Sequence, residues 1–237
     1  MTRLKRYLAG ECGAVWAELR ADPSLSADAL AVVDATIDRV ALNARRLVER
    51  LEREGYEFEG TPLLPTCRNT SLLERIERMG TVPYTLRSFW AGVGGIDLRG
   101  MNPAWGFTGW AGRGNGRPVE TDPLCVDGLS TGWVKSVEGD YEDWLEAREE
   151  AEGQQFVLPL SPDNQTKSNI SGAGPDGIAL PADPLEGVWI ADPFDPTPFV
   201  NHLREAFRWA GFPGLRSSPE LLPADWLRAV RSELIPF

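Results

Sequence analysis

The chain has 237 residues, 42% hydrophobic and 25% charged, with a formal net charge of −11 and a single histidine. That length and composition fit one globular domain with embellishments, or one domain with a helical extension, and one histidine excludes a His-rich zinc site. No apolar run approaches the ~20 residues a membrane span needs, and the basic Met1 to Arg6 runs into Ala9-Gly10-Glu11 without an apolar signal core, so a cytoplasmic protein is expected.

From the N-terminus, Leu8, Cys12, Val15 and Leu19, widened by Trp16, predict a helix that Asp22-Pro23-Ser24 breaks. Leu30, Val33, Ile37, Val40, Ala44, Leu47 and Leu51 then recur at spacings of three and four. They predict a helix of about 27 residues with Ser26 as N-cap. Two helices joined by so short a loop should pack as an antiparallel hairpin over residues 1–57; a dimeric coiled coil is the rival arrangement.

Gly60-Thr61-Pro62 through Asn69 reads as a linker into an α+β domain over residues 70–237. Ser71 and Glu74 form a candidate capping box for a helix Leu72 to Met79 that Gly80 ends. Pro83 opens another helix that buries Leu86, Phe89 and Trp90, and Gly92, Gly94 and Gly95 turn it into the strand Ile96-Asp97-Leu98. Gly100 to Val134 reads as short strands and long turns, with Trp105, Trp110 and Trp133 among the glycines. Leu124-Cys125-Val126 is one of those strands.

Residues 119–197 carry 17 acidic and 3 basic side chains, a local balance of −14. Within them Tyr141, Trp144 and Leu145 share a helical face, while Glu138, Asp140, Glu142, Asp143, Glu146 and Glu149 coat the remainder. An acidic block of this kind repels nucleic acid and suits a basic partner. Farther on, Phe156 to Asp163, Ile178 to Pro181 and Val188 to Asp192 read as strands. Thr197 is a candidate cap for a helix with Pro198 at its first position, buried along Phe199, Leu203, Phe207 and Ala210. Gly211 is then read as the left-handed C′ residue of a Schellman stop, with Phe212 folding back on Phe207. Pro223 begins a final helix with Leu227, Val230 and Leu234 inward. Helices, then short antiparallel strands, then helices indicate an α+β fold, an antiparallel sheet packed by helices behind an N-terminal helical hairpin.

Two matches among these segments carry a resemblance. Val82 to Leu98, VPYTLRSFWAGVGGIDL, with Leu158 to Asp163 and the helix Phe199 to Trp209, resembles the SUKH superfamily of cell-wall-assembly-regulator-like domains over about residues 72–215. The resemblance implies an α+β protein-binding module, in bacteria commonly an immunity protein that neutralises a toxin. The helical segment 1–57 lies outside it.

Motifs for chemistry are sparse. His202 lacks a GxSxG partner and sits beside a buried stripe, which favours a packing histidine over a general base. Gly112-Arg113-Gly114-Asn115-Gly116 lacks the lysine and following helix of a phosphate loop and reads as a turn. Cys12, Cys67 and Cys125 form no CxxC, so neither a disulfide framework nor a thiolate zinc site is expected. Of the carboxylate groups, Asp163 reads as an Asx turn, and Asp192 and Asp195 flank prolines in a turn.

The expected function is therefore a non-enzymatic binding module, in its most concrete form a cytoplasmic immunity protein that occludes a toxin. Its partner is a protein with a basic surface, met through Glu138, Asp140, Glu142, Asp143, Glu146 and Glu149 with Trp105 and Trp110 as anchors. No cofactor, metal, nucleic acid or membrane is expected, and the protein is expected to be a monomer or homodimer. Two other readings stand beside this one. The first is a carboxylate- or metal-dependent hydrolase using Asp140, Glu142, Asp143 or Asp163. The second is a structural protein dimerising through its long N-terminal helix.

Overall fold

A computed structural model of the chain describes residues 1–105, 107–108, 112–114, 117–119, 121–147, 155–167, 174–191, 194–219 and 224–237. The expected first helix is two: α1 (Arg3–Leu8) and α2 (Cys12–Ala21). The break is a Schellman turn at Gly10, whose φ is +103°. Gly10 N donates to Tyr7 O and Glu11 N to Arg6 O, both at 3.1 Å. Tyr7 is buried in place of Leu8, which is 57% exposed.

The long helix α3 (Ala27–Arg53) spans 27 residues, and Ser26 Oγ accepts from Ala29 N at 3.2 Å. Its seam is buried by the chain itself, with Val33, Val40 and Leu51 fully covered and Ile37 and Leu47 nearly so. Trp16 Nε1 on α2 donates to Thr36 Oγ1 on α3 at 3.1 Å, closing the N-terminal helical pair. The seam is thus occupied without a second chain.

The remaining elements follow in order. They are β1 (Glu57–Phe58), β2 (Leu63–Leu64), α4 (Thr70–Glu77), α5 (Tyr84–Gly92), β3 (Gly95–Asp97), β4 (Gly100–Asn102), β5 (Phe107–Thr108), β6 (Gly112–Gly114) and β7 (Arg117–Val119). Then come β8 (Cys125–Val126), α6 (Thr131–Ala147), β9 (Phe156–Ser161), α7 (Asn164–Lys167), β10 (Asp176–Leu180), β11 (Val188–Ala191), β12 (Phe194–Pro198), α8 (Phe199–Arg208) and α9 (Ala224–Glu233). The strands are short and pair antiparallel in three sheets, ordered β1-β4-β5-β6-β7, β12-β11-β10-β9 and β2-β3-β8. The fold is α+β.

Several local details depart from what the sequence predicts. The expected linker contributes β2, which pairs with β3. Asn69, not Ser71, caps α4, its side chain accepting from Ser71 N at 3.0 Å. Gly112 to Gly114, read as a turn, is strand β6, paired with β7. Thr197 pairs with Trp189 inside the sheet instead of capping α8. That helix is capped through tertiary structure: Phe199 N donates to Gly187 O at 3.0 Å and Val200 N to Glu186 Oε1 at 2.9 Å. Glu186 is itself gripped by Arg20 of α2, at 2.7 and 3.2 Å. A cap built from residues distant in sequence leaves no local signature.

At its other end α8 stops in a Schellman turn one residue earlier than expected. Ala210, with φ +54°, is C′ and Gly211, with φ +91°, is C″. Gly211 N donates to Ala206 O at 2.8 Å and Ala210 N to Phe207 O at 3.1 Å. Phe212 packs on Tyr56, with ring centroids 5.5 Å apart. One core joins both ends of the chain: α3 packs on α5 and α9, and α8 packs on β11 and β12. Among the described residues no helix is long and apolar enough to cross a membrane.

Candidate functional site

The acidic helix is longer than its aromatic face suggested. Val134 and Val137 of α6 are buried. Trp133 meets Trp90 edge-on at 5.7 Å and donates from Nε1 to Pro159 O at 3.2 Å. Two to three turns on, Tyr141 stacks with Trp144 at 5.6 Å and meets Phe156 of β9 edge-on at 5.0 Å. These residues seat one face of α6 on β9 and α5. Asp140, Glu142, Asp143 and Glu146 lie on the other face, exposed and without an ion pair among the described residues.

Glu138 stands apart from that set. Arg75 of α4 donates to it from Nε at 2.7 Å and Nη2 at 2.5 Å, a fork that holds the carboxyl below its usual pKa range. Trp105 ends a short 3₁₀ turn, Pro103–Trp105, but the placement of its side chain, like Trp110 and Glu149 altogether, lies outside the described residues. So do Pro223 and Asp192.

A second constellation had no counterpart in the sequence reading. Lys167, at the end of α7, has 3% of its side chain exposed. Its Nζ lies 2.6 Å from Asp122 Oδ1 and 3.6 Å from Asp176 Oδ2. Asp163 caps the same turn, accepting from Thr166 N at 3.1 Å and Thr166 Oγ1 at 2.7 Å. Asp122 holds a left-handed φ of +45° and Asp176 Oδ1 is buried without a hydrogen-bond partner among the described residues. Strain and an unmet acceptor mark the cluster as tightly constrained.

Its electrostatics follow from burial. Desolvation, with the neighbouring Asp122 and Asp163 adding to it, pushes the Asp176 carboxyl up to about 7 against the pull of Lys167. Burial alone would lower Lys167, yet Asp122, Cys125 and Asp176 raise it, so the ammonium stays charged. Burial also drives the Cys125 thiol upward, the direction of an inert cysteine. Nearby, burial and then Asp97 raise Asp127 to about 6. The signal in the sequence was Asp163 four residues before a lone lysine in a strand-rich stretch. Nothing in the sequence indicated that Asp122 and Asp176 converge on that lysine.

His202 stacks on Trp189 with centroids 4.1 Å apart and planes at 10°. Its Nε2 is buried without a hydrogen-bond partner among the described residues, and desolvation pulls the imidazole pKa down to about 3. Histidine, cysteine and carboxylate side chains form no group of three or more able to hold a metal ion, among the described residues. An open groove of about 460 Å³ lies between α3, α5 and the segment entering α4, with Asp34, Asp38, Leu73, Tyr84, Ser88 and Trp90 among its walls. Asp34 accepts there from Tyr84 Oη at 3.2 Å and Ser88 Oγ at 2.9 Å. Comparison with protein-family models, curated proteins and solved structures found no match to the chain.

Proposed function

We propose that the protein is a non-enzymatic binding module that presents the carboxylates of α6 to a basic surface on a protein partner. The observation that carries this reading is the division of α6 into two faces. Its apolar face is seated on β9 and α5, so Asp140, Glu142, Asp143 and Glu146 project from an anchored element, and none of the four makes an ion pair among the described residues. A fixed field of one sign steers encounter with an oppositely charged surface. Occlusion of a toxin, as in an immunity protein, is the concrete form that the SUKH resemblance implies.

The hydrolase reading has less support. Of the carboxylates that reading uses, Asp163 is buried and accepts from Thr166 N and Thr166 Oγ1, while Asp140, Glu142 and Asp143 stand exposed on α6 and not in the desolvated setting that tunes a general acid or base. The test is charge reversal of Asp140, Glu142, Asp143 and Glu146 to lysine, with the fold checked by circular dichroism. Partner association measured at two ionic strengths should become slower and lose most of its salt dependence. Equal kinetics in the reversed variant would remove α6 from the interface.

A further inference from the structure

Away from α6, a cavity of about 380 Å³ opens between α8, α9 and residues 234–237. Its apolar walls come from Phe207, Leu234 and Phe237, with the rings of Phe207 and Phe237 set edge to face at 5.7 Å. Three arginines, Arg204, Arg208 and Arg231, share the lining. In a chain of net charge −11 this is a concentration of positive charge against the general trend.

Side-chain carboxylates do little to neutralise it. Neither Arg204 nor Arg231 pairs with an aspartate or glutamate among the described residues, and Arg208 meets only Glu205, at 3.8 Å. Arg231 is held in place, Nε donating to Arg208 O at 2.6 Å and the guanidinium lying 5.5 Å from the centre of the Trp209 ring, which leaves its terminal nitrogens for another acceptor. Arg204 donates from Nε to an oxygen of the final residue, Phe237, at 2.5 Å and from Nη1 to Asn201 Oδ1 at 3.1 Å, while Nη2 is buried without a hydrogen-bond partner among the described residues. Burial, followed by repulsion from Arg20, pulls the Arg204 pKa down. The cavity is also large enough for a small molecule.

The geometry points to a binding site for a small organic carboxylate with an apolar body, its head on Arg208 and Arg231 beside Arg204 and its body against Phe207, Leu234 and Phe237. A guanidinium fork matches a carboxylate in shape as well as charge, and the apolar wall adds affinity for a hydrocarbon tail. This site is independent of the interface on α6.

The experiment is calorimetric titration of the full chain with octanoate, octyl phosphate, octanol and octylamine. Octanoate is expected to bind saturably at one site. Octanol and octylamine should bind at least about tenfold more weakly, the loss expected when a charge-assisted hydrogen bond is removed. R208Q/R231Q should weaken octanoate by about tenfold or more and leave octanol unchanged. Both side chains reach outward, and circular dichroism confirms the fold of the variant. The ligand series on the unaltered protein reads charge selectivity whatever the variant does. Absence of saturable octanoate binding, equal affinity for octanol, or unchanged octanoate binding in a folded R208Q/R231Q would overturn the site. Tighter binding of octyl phosphate than of octanoate would overturn the carboxylate assignment.

Discussion

Arg75 of α4 and Glu138 of α6 face each other across the helix pair in a two-pronged contact of 2.7 and 2.5 Å, so one carboxylate of the acidic helix is spent on holding that helix in place. Both groups reach solvent, and their attraction is screened accordingly. Arg75→Ala is expected to lower the melting temperature slightly in low salt and hardly at all in high salt. The same change releases Glu138 to the outward face and should steepen the salt dependence of partner association. Thermal melts at two ionic strengths check the first part; a large loss that salt does not reduce would make the pair a structural element.

Gly211 occupies a position where two demands coincide. Its φ is +91°, and a Cβ there would lie 2.4 Å from Leu98 Cδ1 and 3.1 Å from Leu47 Cδ2. Gly211→Ala therefore combines backbone strain with overpacking between α3 and the strand region, and is expected to cost about 2–4 kcal/mol. Ala210 already tolerates φ +54°, so Ala210→Gly relieves strain while losing a buried methyl group, and should change stability by less than about 1 kcal/mol. Denaturant unfolding of the two variants separates these effects. Equal costs would sink the assignment of the close approach to Gly211.

The contrast between these neighbours shows where the sequence was readable. The seam from Leu30 to Leu51 and the Ser26 cap were legible because both are local: spacing fixes a face, and a hydroxyl reaches an amide three residues on. The same logic ran too far upstream. Spacing from Leu8 to Cys12 continues the helical period across Gly10, yet a left-handed glycine ends α1 there and Tyr7 takes the buried place. On α6 the outward carboxylates were legible for the same reason as the α3 seam. The cap of α8 and the Lys167 cluster were not, since Glu186, Asp122 and Asp176 reach their partners only after the sheets form. The cavity beside α8 likewise depends on three arginines brought together from two helices.

Lys167 carries the only positive charge contacting Asp122 and Asp176 among the described residues. Lys167→Met keeps most of the side-chain volume but leaves the buried Asp176 and the partly buried Asp122 without their counter-charge. The expected cost at neutral pH is about 3 kcal/mol or more. It should shrink in acid, because protonation neutralises the abandoned carboxylates. Urea unfolding near neutrality and in mild acid measures the difference. A variant as stable as the parent at neutral pH would mean that water reaches the cluster and solvates it.

Asp176 gives the cluster a pH dependence whose sign can be worked out. Its folded-state pKa of about 7 lies above the ordinary carboxylate value of 3.8, so between those two values the folded state binds more proton than the unfolded state. Stability from this group is fully present below about pH 4 and is lost as pH rises through about 7. Asparagine at this position cannot ionise and stays neutral throughout. Asp176→Asn should thus match the parent in mild acid and equal or exceed it above neutrality, despite losing the 3.6 Å contact with Lys167, since Asp122 keeps the closer one at 2.6 Å. Asp127, raised to about 6, titrates in the same direction in both proteins and cancels in the comparison. The measurement is unfolding free energy across pH for the pair. Parallel curves, or an asparagine variant that loses ground as pH rises, would show that Asp176 is ionised in the folded protein and held so by Lys167.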